Sequence, residues 1–126
     1  MKNNISAENY LETILVLGKQ KPFVRAVDIC EELNFRKSSV SVAMKRLREK
    51  HQIQVSPEGY ITLTDSGREI AESIYNRHQL IETSLMQLGV DEKIAHQDAC
   101  RIEHCLSPES YAAIKLHLEG SGIVIG

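Results

Sequence analysis

The chain has 126 residues, 42% of them hydrophobic and 25% charged, which is globular composition and too short for two domains of usual size. With 5% aromatics and no Trp, the core must be built from Leu, Ile, Val and Ala, and three Cys are too few and too odd for a disulfide framework. A net charge of −2 excludes a uniformly basic nucleic-acid coat, and no apolar run approaches the ~20 residues of a membrane helix.

The first ten residues, MKNNISAENY, contain no apolar signal region, so a cytoplasmic protein is expected. A helix is predicted over 5–20, with Ser6 as N-cap and Ile5 and Tyr10 as a hydrophobic staple. At about 100° per residue Tyr10, Ile14 and Leu17 share one face, and Asn9, Glu12 and Val16 share roughly the other. Pro22 closes the segment. A short helix over 26–33 follows, with Val27, Ile29, Cys30 and Leu33 as inward candidates and Asn34 as a left-handed stop. The third helix runs from 37 to about 50. Ser38 or Ser39 is the candidate cap, and Val40, Met44 and Leu47 form its apolar stripe.

The period then changes to two. Ile53-Gln54-Val55, the turn Ser56-Pro57-Glu58-Gly59 and Tyr60-Ile61-Thr62-Leu63 read as a β-hairpin. Thr64 or Asp65 caps a long helix reaching about Leu88, with Ile70, Ile74, Ile81, Leu85 and Leu88 on one stripe; Gly89 ends it. Asp91 starts a fifth helix that runs to about Cys105. Ser107-Pro108-Glu109 starts a sixth that ends near Leu118, and the tail EGSGIVIG has no helical signal. Its IVIG end either packs at a dimer interface or dangles.

Charge is divided unevenly. Residues 1–52 carry a net charge of +4 and residues 53–126 carry −6. The window 36–50 alone has six bases and one acid. Two short helices joined by a tight turn, the second basic and followed by a hairpin, are the layout of a winged helix-turn-helix. In that geometry the leading residues of the second helix face base edges while flanking cations meet phosphates. Here Arg36, Lys37, Ser38, Ser39 and Ser41 occupy the leading end, and Lys45, Arg46 and Arg48 the phosphate side. The hairpin turn has no Lys or Arg, so a weak wing contact is expected.

The fifth helix contains AHQDACRIEHC. His96, Cys100, Glu103 and His104 fall within one stripe about 100° wide, where a helix ordinarily places apolar side chains facing the core. Such groups are costly there unless satisfied, and a first-row divalent metal satisfies them. The mixed S, N and O set suits Fe(II), Co(II), Ni(II) or Zn(II) better than Mg(II) or Ca(II). His78 and Glu82 add an i, i+4 pair on the fourth helix, and Asn9 and Glu12 add oxygens on the first. Cys30 and Cys105 read as structural, and His51 and His117 receive no role.

The chain resembles the diphtheria-toxin-repressor and manganese-transport-regulator family of metal-dependent bacterial repressors. The resemblance covers nearly all of residues 5–118. It rests on ENYLE at 8–12, Leu63-Thr64-x-x-Gly67, the Arg-His-x-Leu-x-Glu of 77–82 and Cys-Arg-Ile-Glu-His at 100–104. It implies a mainly α fold: a winged helix-turn-helix DNA-binding domain over 1–66, then an all-helical metal-binding and dimerisation domain over 67–126, with no SH3-like domain. It also implies that Cys100, Glu103 and His104 form a primary metal site completed by position 9, and that His78, Glu82 and His96 form a second with a contribution from Glu12. The iron-responsive branch has Cys where this chain has Cys100, and the manganese branch has a carboxylate. Thiolate favours the softer ion, so Fe(II) is expected, with Mn(II) as the alternative and Co, Ni or Zn as surrogates. Position 9 is Met in one branch and Asp in the other, but Asn9 here.

The expected function is a homodimeric regulator that binds a palindromic double-stranded operator and represses metal-uptake genes. Metal would tie the first helix to the fifth and so set the spacing of two heads reading half-sites about 34 Å apart. Two rivals are a metal-independent winged-helix regulator responding to a small molecule and a metalloenzyme using His96, Cys100 and His104. No His-Glu-x-x-His pattern or Gly-rich loop supports an enzyme.

Overall fold

A computed structural model describes residues 5–121, apart from the side chain of Ile5. The IVIG tail lies outside the described residues. The elements are α1 (Ile5–Gln20), α2 (Ala26–Leu33), α3 (Lys37–Glu49), β1 (Ile53–Val55), β2 (Ile61–Leu63), α4 (Asp65–Gln87), α5 (Glu92–Ile102) and α6 (Pro108–Gly120). The chain separates into two compact units, residues 1–72 and 73–126. No described helix is long and apolar enough to cross a membrane.

In the first unit α1, α2 and α3 pack on one another, with α1 against β2 and α3 against β1. Helix α1 buries Tyr10, Leu11, Ile14, Leu15 and Leu17; α2 buries Ile29; α3 buries Val40, Met44 and Leu47; the strands bury Ile53 and Ile61. The strands pair antiparallel, with Gln54 opposite Thr62. The Ile61 N–H also donates to the Val24 carbonyl at 2.7 Å, which ties the hairpin to the loop between α1 and α2. Asn34 ends α2 in the left-handed region at φ 57°, as a residue tolerant of that conformation should.

The Leu-Thr-x-x-Gly motif has a specific job. His51 turns the chain out of α3 at φ 60°. The Thr64 hydroxyl donates to the His51 carbonyl at 2.7 Å and accepts from the Gly67 N–H at 3.2 Å, so Thr64 caps α4. The Thr64 N–H donates to the Gln52 carbonyl at 3.1 Å. A Cβ on Gly67 would stand 2.0 Å from that same Gln52 oxygen, so only glycine permits this approach.

In the second unit the buried side chains are Ile74, His78, Leu80, Ile81, Ala95, Ala99, Glu103 and Leu118. Gly89, at φ 98°, reverses the chain after α4. The Asp91 carboxylate caps α5 by accepting from the Lys93 N–H at 3.1 Å, and the Ser107 hydroxyl caps α6 by accepting from the Ser110 N–H at 3.0 Å. The Arg77 guanidinium donates to the Leu106 carbonyl.

Several expectations need correction. Ser6 lies inside α1 rather than capping it, so the staple geometry does not apply. The N-cap of α3 is Arg36, with no side-chain cap bond; Ser38 and Ser39 fall within the first turn and are exposed. Val27 is 55% exposed because it stands about 160° around α2 from the buried Ile29. Leu88 is 80% exposed because it lies past the last turn of α4, at the Gly89 reversal. Helix α5 stops at Ile102, where the Cys105 N–H bonds the Ile102 carbonyl and tightens the chain into a turn. Helix α6 continues through Gly120.

Gly67→Ala is therefore expected to destabilise the protein by about 3 kcal/mol, because backbone rather than a flexible side chain blocks the methyl. Gly18→Ala, inside α1 with open space at the Cβ position, should instead stabilise by roughly 0.5 kcal/mol. Urea denaturation of the two variants checks both signs.

Candidate metal centre and nucleic-acid interface

Side chains from α4, α5 and the turn after α5 converge on His78. Its Nδ1–H donates to Glu103 Oε1 at 2.9 Å, and its Nε2–H donates to Glu82 Oε1 at 3.0 Å. His96 Nδ1 lies 3.1 Å from His78 Nε2 and 3.6 Å from Glu82 Oε1. Cys100 Sγ lies 3.8 Å from His96 Nε2 and 4.0 Å from His78 Nδ1. His104 Nε2 is 3.3 Å from the second oxygen of Glu103, and both side chains are almost fully enclosed. One donor atom each from His78, His96 and Cys100 lies within 4.8 Å of the others, a spacing that one metal ion can bridge.

The burial of this set follows from the pitch of α5. Its inward line is Ala95, Ala99 and Glu103, at i, i+4 and i+8. His96 and Cys100 stand one residue further round the helix, so they form the rim rather than the floor; the His96 side chain is 60% exposed. The polar stripe thus straddles the core boundary instead of facing inward throughout. Glu103 and His104 belong to the turn, where Glu103 keeps helical dihedrals and continues the buried line.

The two ligand sets implied by the family resemblance meet in the described structure. His78 touches Glu82 and His96 of its own set, and also Glu103 and Cys100 of the other. Asn9 and Glu12 stand on α1 in the first unit, both half-buried.

The Cys100 sulfur and the Glu103 carboxylate together raise the His78 imidazole from 6.5 to about 10, against the opposing effect of burial. The cluster's positive charge therefore sits on His78 in the absence of metal. That charge stabilises the metal-free fold below the ordinary imidazole range, and the contribution is lost as pH rises through about 10. The residues fit a divalent ion: two carboxylates, three imidazoles and a sulfur lie together, centred on the buried imidazole of His78.

In the first unit, Arg36, Lys37, Ser38, Ser39, Ser41, Lys45, Arg46 and Arg48 are all exposed, on α3 or directly before it. Sequence periodicity does not single out Arg25. Its guanidinium lies 4.9 Å from the Tyr60 ring centroid and donates to the Tyr60 hydroxyl at 3.2 Å, while Phe23 stacks on Tyr60 at 4.3 Å. This places a cation beside the turn end of the hairpin, whose turn residues carry none. Loop residues 23 and 25 carry no periodic signal, which is why they are invisible before folding.

Two family models match the chain: "Iron dependent repressor, N-terminal DNA binding domain" over residues 4–60, and "Iron dependent repressor, metal binding and dimerisation domain" over residues 64–120. The chain belongs to the iron-dependent repressor family. Its members are metal-dependent, DNA-binding transcriptional regulators, and the fold is theirs: an N-terminal winged helix-turn-helix followed by a helical metal-binding and dimerisation region. An uncharacterized HTH-type transcriptional regulator of Methanocaldococcus jannaschii is 35% identical over 117 residues, covering 90% of this chain and 93% of the relative. The HTH-type transcriptional regulator MntR of Geobacillus kaustophilus is 34% identical over 102 residues, covering 81% of this chain and 72% of the relative. A solved manganese-dependent transcriptional repressor, in complex with manganese, superposes with a TM-score of 0.82 at 30% identity over 90% of this chain. This chain spans 52% of that structure's length. Membership in this family does not favour the small-molecule regulator, and it is a family of regulators rather than enzymes.

If His78 is a ligand, a bound divalent ion must displace its proton. Metal binding near pH 7.5 should then release about one proton from His78, in addition to any from the Cys100 thiol, which a Cys100→Ala variant would not give up, and affinity should rise with pH up to about 10. Calorimetry in buffers of different ionisation enthalpy measures the release; binding without proton release would remove His78 from the ligand set.

Proposed function

We propose that this iron-dependent-repressor-family member is a homodimeric, metal-switched repressor of metal-uptake genes, acting in the cytoplasm on a palindromic operator. The observation that carries the reading is the cluster around His78, in which Glu82, His96, Cys100 and Glu103 surround one buried imidazole. His104 joins it through Glu103. We assign the metal-binding role to these six side chains, with residues 67–126 as the metal-binding and dimerisation region and residues 1–66 as the DNA reader.

When bound, the ion supplies a fixed divalent charge in place of the His78 proton. Cys100 biases the set toward Fe(II), since a thiolate prefers the softer ion; Mn(II) is the competing assignment, favoured by the names of the relatives. His78 gives up its proton, and the buried Glu103 and Glu82 carboxylates keep a cationic partner throughout. Metal occupancy and operator affinity are linked by a coupling free energy of typically ~1–3 kcal/mol, and DNA raises metal affinity by the same amount.

On the DNA side, Lys37, Lys45, Arg46 and Arg48 supply phosphate contacts beside Arg36, and Ser38, Ser39 and Ser41 present small hydroxyls to base edges or phosphates. Operator binding should therefore be tight with Fe(II) or Mn(II) and weak with chelator, the stronger activator naming the ion. Glu103→Ala should abolish the difference while leaving non-specific binding intact. Lys45→Ala with Arg46→Ala removes two cations from each protomer, four from the dimer, and should lower the slope of log affinity against log salt by about four. Equal operator affinity with metal and with chelator would sink the switch.

A further inference from the structure

Helix α3 turns Val40, Met44 and Leu47 inward. At about 100° per residue, the line opposite that stripe runs through Ser38, Val42 and Glu49, with Lys45 and Arg46 on its two flanks. Every one of these side chains is polar or charged except Val42. It is 52% exposed, and it is the one exposed large apolar side chain among the described residues of α3. Lone surface valines are common, and by itself exposure says little. The place of Val42 is what distinguishes it: at the centre of the outward face, one turn after Ser38, on the helix whose cations make it the nucleic-acid reader.

A major-groove face meets four base-pair patterns, and only thymine offers an apolar group there, its 5-methyl. Valine has no donor or acceptor with which to satisfy the N4 amine of cytosine or the edges of the purines. Its branched side chain is held in one rotamer by the helix, so it makes the contact with little further ordering. We propose that Val42 is a specificity-determining residue that reads a thymine methyl in each half-site of the operator. The inference rests on the DNA-reading function assigned above and adds to it the base that the helix selects.

The test begins with selection from random duplex DNA by the full chain, in Fe(II) under anaerobic conditions and in Mn(II). Each thymine of the resulting consensus is then replaced by uracil, which removes the methyl and nothing else. At one position per half-site the parent protein should lose about fourfold in affinity, and about fifteenfold when both half-sites are altered. Val42→Ala, a surface change with an expected unaltered melting temperature, should bind the thymine duplex more weakly and treat thymine and uracil alike. A consensus in which every thymine tolerates uracil overturns the inference alone. So does a methyl effect that persists undiminished in Val42→Ala. A selection that yields no consensus under either metal overturns the DNA-reading function and this inference together.

Discussion

The second unit depends on a charge balance inside its own core. Glu103 is 1% exposed and His78 6% exposed, and neither tolerates that burial as an isolated ion. An uncompensated buried charge carries an effective penalty of several kcal/mol. The 2.9 Å contact between them, with Glu82 on the other ring nitrogen, removes most of it. On the proposed reading the balance is also a receptor: carboxylates, imidazoles and a sulfur that favour a proton on His78 would favour a divalent cation for the same electrostatic reason. Folding and ligand recognition thus draw on the same groups.

The rim position of His96 and Cys100 gives the cluster its access. Ala95 and Ala99 occupy the inward line of α5, while the two softer donors stand at its solvent edge. On the proposed reading, a floor of buried oxygen and nitrogen with a rim of imidazole and thiol would let an ion arrive from water without local unfolding.

The first unit works on a different principle. Its apolar core is continuous from α1 through α3 into the hairpin, and polar function is confined to one outward face. The Thr64 and Gly67 junction holds the end of α3, the first strand and the start of α4 in one register. Stacking of Phe23 on Tyr60, with Arg25 also against the ring, ties the turn end of the hairpin to the loop between α1 and α2. Rigid presentation of a few side chains is what base reading requires, since ordering them at binding would subtract from affinity.

Local rules were enough for much of this molecule. The order of helices and hairpin, the inward stripe of α3, the left-handed Asn34 and the caps at Thr64, Asp91 and Ser107 all follow from period and capping chemistry, which act over a few residues. The candidate ligand residues were conspicuous as well, because polar groups stand there at core spacing. Their partnership was not. That His78 is shared between Cys100, Glu103, Glu82 and His96 depends on where two helices and a turn meet, and no spacing along one helix encodes it. The same limit explains Val27 and Leu88. Apolar character invites burial, but a neighbouring surface must be present to receive it, and the described residues cover these two side chains only in part.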